Sequence, residues 1–251
     1  MSIKTLSHLR DLRLGGMAQH LEQQLTQPGT YSELAFTDRL DLMLDHELLS
    51  RDQRKQERLI RQAKLKLRAS VAEIDYTHPR GVKKAQITQL AQSDWLSRGQ
   101  NLLVTGPCGS GKTYLACALG HNACLNGFAV RYYRLSRLLL ALTQSKADGS
   151  YQRYLGQLAK IDLLIIDDWG LEPLSPAHRN DLMEIMDDRY GSKSTLMISQ
   201  LPTDQWYASI GDNTLADAIL DRLMHNAHRL NLQGESMRKR KNDLTEREHH
   251  M

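Results

Sequence analysis

The sequence predicts an α/β fold: a P-loop core built on a five-stranded parallel sheet, preceded by a small all-helical N-terminal domain. Three observations predict it. Five short apolar runs, NLLVTG (101–106), AVRYYR (129–134), DLLIIDD (162–168), TLMISQ (195–200) and HRLNL (228–232), alternate with helix-length segments. That alternation is the mark of right-handed crossovers in a parallel sheet covered on both faces. The first run passes directly into GPCGSGKT and a helical stretch, and the third ends in Asp167-Asp168. Before residue 70, by contrast, leucines and methionines recur at three- and four-residue steps, the period of amphipathic helices.

The expected divisions are 1–70 for a small helical domain, 71–235 for the α/β core and 236–251 for a charged tail. Leu6, Leu9, Leu14, Met17, Leu21 and Leu25 form one helical stripe, interrupted or bent at Gly15-Gly16, and Pro28 with GTY marks a turn. From Ser32 to Arg68 no Pro or Gly intervenes, so a second, longer helix or helix pair follows. Residues 72–100 mix the turn residues HPRG with a short helical pattern and lead into the core.

Composition bounds the function. Hydrophobic residues make up 41% and charged residues 25% of the 251, ordinary proportions for a folded globular chain. A net charge of +4 permits nucleic-acid binding without demanding it. Cys108, Cys117 and Cys124 lack paired spacing, which argues against a disulfide scaffold and for a reducing cytoplasm. Cys117 and Cys124 read as small apolar core residues. No run of about eighteen apolar residues exists, so a membrane partner is not expected.

One helix carries concentrated charge. Arg51, Arg54, Lys55, Arg58 and Arg61 share a face, with Asp52 and Glu57 among them, and Lys64, Lys66 and Arg68 extend the patch. Such a line of cations suits a phosphate backbone, although a solvated helix face would look the same.

The motif G-x-x-x-x-G-K-[ST] spans Gly106, Pro107, Cys108, Gly109, Ser110, Gly111, Lys112 and Thr113, with Tyr114 next in the helix. Its glycines let successive N–H groups face phosphates at a helix N-terminus. Lys112 is placed to neutralise β and γ phosphates, and the Thr113 hydroxyl to hold Mg²⁺. ATP and Mg²⁺ are therefore the expected ligands. Asp167, at the carboxyl end of a strand expected beside the P-loop strand, is the expected metal-shell acid. Asp168 is the expected group that orients the attacking water. Trp169 reads as packing.

These motifs, with STLMISQLP at 194–202, resemble the AAA+ ATPases, in the branch holding DnaC-type helicase loaders and IstB transposition helpers. The stretches IGDNTLADAILDRLMHNAHRLNLQGESMRK (210–239) and LRLGGMAQHLEQQL (12–25) are similar to IstB in particular. The resemblance implies a sensor contacting the γ phosphate at Gln200, where many relatives have Asn, with Ser199 as the rival. It implies that Arg222 is an arginine finger offered to a neighbouring subunit, where the bland alternative is an ion pair with Asp217 or Asp221. Arg238 is a weaker candidate for a second sensor. Asp168 stands where the wider family has Glu, one methylene longer, so slow, triggered hydrolysis is expected. The chain also leaves no room for a C-terminal lid domain.

The implied function is an ATP-dependent helper that assembles as a ring or helical homo-oligomer on duplex DNA, largely without sequence preference. It would remodel that DNA and deliver it to a transposase, with hydrolysis driving disassembly. A DnaC-like replicative helicase loader is the alternative. A small-molecule P-loop kinase is a third class, for which the sequence offers no acceptor pocket or mobile lid and no role for Arg222.

Overall fold

The structure is a computed structural model and describes residues 2–234, so Arg238 and the expected tail from residue 236 lie outside the described residues. The chain divides into two compact units, Met1–Arg58 and Leu59–Met251. The sequence placed the boundary near residue 70. The difference has a simple cause: Leu59 and Ala63 are buried among the core residues of the second unit.

In the first unit, helices α1 (Ser2–Asp11), α2 (Gly15–Thr26) and α3 (Pro28–Tyr31) precede α4 (Phe36–Ala63), whose last residues belong to the second unit. The expected turn after Pro28 is a one-turn helix, with proline at the start where its missing N–H costs nothing. The expected bend is a full break between α1 and α2, falling at Leu12–Leu14, where Arg13 has a left-handed φ of 60°, just before Gly15-Gly16. Gly16 itself permits a close helix approach: a Cβ there would lie 2.7 Å from Glu47 Cα. Glu47, buried on α4, accepts hydrogen bonds from Gly16 N at 2.6 Å and Met17 N at 3.1 Å. It thus satisfies donors that the first turn of α2 would otherwise leave unpaired.

In the second unit, α5 (Lys84–Ala91) and α6 (Asp94–Ser97) lead to β1 (Asn101–Thr105) and the P-loop helix α7 (Lys112–Leu125). Then come β2 (Val130–Arg134), α8 (Leu135–Ala147), α9 (Tyr151–Ala159), β3 (Leu163–Trp169) and α10 (Pro176–Arg189). The chain continues through β4 (Ser194–Ser199), α11 (Trp206–Ile210), α12 (Asn213–Met224) and β5 (Ala227–Asn231). All five expected strands form, every pairing is parallel, and their order is β2-β3-β4-β1-β5. Among the described residues β5 is the last element.

Side-chain alternation divides the core. Leu102 and Val104 of β1, with Leu163 and Ile165 of β3, face one cluster that includes α7. Leu103, Leu164 and Ile166 point the other way, onto α8, α9, α10 and α12. Burying two apolar faces of one sheet stabilises at about 25 cal/mol per Å² of apolar surface removed from water, which is why the strand runs are nearly continuous in Val, Ile and Leu. Cys117 and Cys124 are buried in the first cluster, as small apolar residues would be.

One expectation about this sheet needs correction. β3 does not lie beside β1, because β4 sits between them and pairs with both. The carboxyl end of β4, Ser199-Gln200, therefore stands between the P-loop and the acidic strand.

Candidate nucleotide site

The P-loop follows the buried strand β1 and hands the chain to α7 through Gly111, whose φ of 91° is left-handed and strained for any side chain. A Cβ there would also meet Arg80 Nη1 at 2.6 Å. Lys112 is buried at the first position of the helix and donates to Gly106 O (2.7 Å) and Pro107 O (2.8 Å), so the loop curls around its own ammonium. Burial pushes the Lys112 pKa below its ordinary value, with Cys108, Asp167 and Asp168 pulling it back. A buried cation in this condition favours an anion close by. Ser110, in the same loop, is buried and its hydroxyl has no hydrogen-bond partner among the described residues. Tyr114 points elsewhere, its hydroxyl 3.3 Å from Glu73 Oε2, and Cys108 is exposed.

At the end of β3 the ladder with β4 shifts register between Ile166 and Trp169, so Asp167 and Asp168 fall on a bulge. Bulges redirect side chains, and here the two carboxylates part company. Asp167 is 2% exposed, and its Oδ2 accepts from Thr113 Oγ1 at 2.9 Å and from Tyr132 Oη at 2.6 Å. Asp168 adopts φ 67°, held by its own N–H donating to Asp167 Oδ1 at 2.8 Å, and it is only partly buried. One carboxylate is fixed deep beside the P-loop threonine; the other is presented toward solvent.

Thr113 and Asp167 are hard oxygen ligands, the donor type Mg²⁺ takes. Among the described residues no group of three or more His, Cys, Asp or Glu could hold a metal. The pair fits a magnesium ion held mainly by substrate phosphate and water, as is usual for this cation.

Trp169 packs on Trp206, ring centroids 5.5 Å apart. At the end of β4 the two sensor candidates differ in setting. Ser199 is buried, its hydroxyl donating to Trp169 O (2.9 Å) and accepting from Leu201 N (3.0 Å), so it ties β4 to β3. Gln200 is exposed at the end of the strand that lies between β1 and β3.

Arg222 lies elsewhere. It sits in the last turn of α12, whose Arg222 and Leu223 carbonyls accept from Asn101 Nδ2 at the opposite end of β1 from the P-loop. A five-residue strand separates the two ends by about 13 Å. Its guanidinium bonds Asp187 of α10, Nε at 2.9 Å and Nη2 at 2.7 Å from Oδ1, and lies over the Tyr190 ring. Its ion-pair partner is therefore Asp187, not the Asp217 or Asp221 suggested by sequence neighbourhood.

The expected DNA-binding residues divide. Arg51 and Arg54 turn back on Glu47, at 2.7 and 3.6 Å, rather than on Asp52 or Glu57, the acids that the sequence set against them. Burial alone would raise the Glu47 pKa, but the Arg51 hydrogen bond and the α2 N–H groups hold it below the ordinary value. Lys55, Arg58, Arg61, Lys64 and Arg68 are exposed. Lys66 reaches the nucleotide site itself, its Nζ 3.8 Å from Asp167 Oδ2.

Sequence reasoning missed several neighbours of the site. Arg80, in the HPRG turn, is buried against the P-loop, donating to Asp75 O and Ser110 O. Tyr132 and Arg134, read only as strand residues, meet Asp167 and Asp168, the latter through Arg134 Nε at 3.5 Å. A cavity of about 700 Å³, walled largely by leucines of α8 and the β3–α10 loop, also borders Asp168. A basic residue or tyrosine closing the strand paired with the acidic strand was the available signal.

A strand, P-loop and helix with a further strand between the P-loop and acidic strands define an AAA+ P-loop nucleotide-binding fold. The chain belongs to the IstB-like ATP binding protein family, whose model matches residues 7–245. Similar proteins include one of Sinorhizobium fredii, 44% identical over 94% of this chain and 96% of its own length. Another, from Pseudomonas fluorescens, is 50% identical over 81% of this chain and 88% of its own. Both carry names describing ATP-binding proteins of insertion sequences. The DnaC helicase loader has a similar fold: its crystal structure covers 65% of this chain and 96% of the loader's, with a TM-score of 0.55 at 21% identity. Among the described residues no helix is long and apolar enough to cross a membrane.

Proposed function

We propose that this protein is the ATP-hydrolysing helper of an insertion sequence, assembling on duplex DNA in its ATP state and handing that DNA to a transposase. Lys112 and the P-loop N–H groups would bind the triphosphate, and Thr113 and Asp167 would hold Mg²⁺. The ion supplies charge neutralisation along the β and γ phosphates. Asp168 would orient the attacking water and Gln200 would contact the γ phosphate.

The observation that carries the reading is the position of Arg222. Within one chain it is a strand's length from the P-loop, so it can complete only a neighbour's site. A head-to-tail contact of this kind generates rings or helical assemblies. Exposed Phe36, Leu44, Leu48 and Leu49 on α4 are apolar surface of the sort that assembly buries. Lys55, Arg58, Arg61, Lys64 and Arg68 offer cations to phosphates, which carry no sequence information, so little sequence preference is expected. The names of the insertion-sequence relatives support a transposase as the partner.

The test is sedimentation and electron imaging of the full chain with random-sequence duplex, in a non-hydrolysable ATP analogue and in ADP. Assembly on DNA with the analogue, its loss in ADP and its loss in Lys112→Ala are expected. A chain that stays monomeric with analogue and duplex overturns the proposal. Capture of a replicative helicase in place of the transposase would shift the reading to a loader.

A further inference from the structure

The exposed long edge of β2 carries a groove of about 360 Å³ lined by Lys64, Lys66, Arg131, Arg134 and Arg137 together with Tyr132 and Tyr133. Among the described residues no carboxylate lines it. Its two walls come from different parts of the chain. Lys64, with a left-handed φ of 49°, ends the α4 helical path and turns the segment toward the end of β3. Arg131 ties that segment to the sheet, its Nη1 donating to Gln62 O at 2.8 Å while its guanidinium lies over Tyr133. Lys64 and Arg137 are exposed.

The two remaining cations face inward. Lys66 Nζ is 3.8 Å from Asp167 Oδ2, and Arg134 Nε is 3.5 Å from Asp168 Oδ2. Two cations of the groove's lining thus lie within 4 Å of the two acids of the nucleotide site. Charge along an edge strand also discourages edge-to-edge pairing, but that role does not require cations trained on those particular carboxylates. Lys146, on the neighbouring helix α8, is by contrast bonded to buried Asp181.

We propose that this groove binds the phosphodiester backbone of DNA, and that the phosphates draw Lys66 and Arg134 away from Asp167 and Asp168, readying both acids for Mg-ATP. The inference deepens the DNA-binding reading above and rests on it. Both contacts are longer than hydrogen bonds and both cations are solvent-accessible, 31% for Lys66 and 51% for Arg134, so a phosphate can compete for each of them. Lys66 rests on the carboxylate that would help hold Mg²⁺, so removing the ammonium would relieve that acid of a competitor. Thermodynamic reciprocity then requires that bound nucleotide tighten the grip on DNA.

Two measurements on the full chain test this. In the first, binding of labelled random-sequence duplex is followed against salt with a non-hydrolysable ATP analogue present. The double variant R134Q/R137Q is expected to lower the log–log slope by about 2, close to one unit for each phosphate left without its cation, while R134K/R137K retains the slope. In the second, affinity for a fluorescent ATP analogue with Mg²⁺ is measured with and without duplex. Duplex is expected to raise wild-type affinity about 10-fold, within the usual range of coupling between sites. K66Q is expected to bind nucleotide more tightly than wild type before DNA is added and to respond to duplex by less than about 2-fold. An unchanged slope in R134Q/R137Q, an equal drop in slope in R134K/R137K, or weaker nucleotide binding by K66Q overturns the groove while leaving DNA binding in place. A wild-type chain indifferent to duplex in every nucleotide state removes the DNA-binding reading as well.

Discussion

The two ends of β1 differ in almost every physical respect. At its carboxyl end Lys112, Ser110 and Asp167 are buried, and each is positioned by backbone or by neighbouring side chains. At its amino end Arg222 is about a quarter exposed and rests on Asp187, itself 61% exposed. The buried end is preorganised for a triphosphate; the exposed end is held by an ion pair of the kind worth about 0.2–1 kcal/mol. A cation that must leave its own chain to act on another cannot be buried in its own fold. On the proposed reading, the comparison teaches that half of the site is built by folding and that the other half would be completed by assembly.

The sharpest way to break this contrast is Arg222→Ala. In the assembled, DNA-bound state ATP turnover should fall by about 10³-fold or more, the scale of arginine fingers in related NTPases. ATP-analogue affinity of the isolated chain should stay within about 2-fold, because Arg222 does not touch its own P-loop. Equal turnover in wild type and variant on DNA would leave Arg222 a purely structural residue. Asp168→Asn comes next: a turnover loss of about 10²-fold with ATP still bound, giving DNA complexes that outlive those of wild type. Complexes that dissociate at the wild-type rate would place the water-orienting role on another group.

The fold was legible because apolar runs of strand length and helical periods carry it locally. All five strands and the long α4 appear where hydrophobic periodicity puts them. The P-loop was legible for a related reason, since Gly111 and Lys112 are adjacent in sequence and their geometry is local. What escaped depended on strand order and side-chain reach. Nothing in DLLIIDD says that β4, not β3, neighbours β1, and nothing in AVRYYR says that Tyr132 points at Asp167. Glu47 lies 31 residues from Gly16, too far for a helical period to connect them. Arg222 was singled out as a candidate through the family resemblance, whereas its partner Asp187, 35 residues away, was not anticipated. Lys66 was seen as one more cation in a charge run, because periodicity stops at the helix end and only the left-handed turn at Lys64 redirects it.

Tyr132→Phe tests the buried end on a finer scale. The phenol is held in its protonated form, its pKa raised by burial and then by Asp167, so it is a fixed donor to that carboxylate at 2.6 Å. Removing the hydroxyl takes one of two side-chain hydrogen bonds from a buried acid, and a loss of about 1.5–3 kcal/mol in unfolding free energy follows. Chemical denaturation at constant m-value measures it. A change below about 0.5 kcal/mol would mean that the site around Asp167 relaxes to replace the donor, contrary to a preorganised carboxyl end.

Asp187→Asn probes the exposed end and should have the smallest effect. The carboxylate lies mostly in water, so loss of its charge should cost no more than about 1 kcal/mol of stability. Its influence on function has a definite sign. Freed from Asp187, Arg222 loses an internal competitor for the neighbour's phosphate, so the protein concentration at which ATP turnover becomes assembly-dependent should fall slightly, by about 2- to 5-fold, the equivalent of 0.4–1 kcal/mol. Turnover of fully assembled protein should not change, since the ion pair is already broken in that state. A rise in the required concentration would instead make Asp187 an orienting partner that Arg222 keeps while it acts, and the exposed end would then be preorganised too.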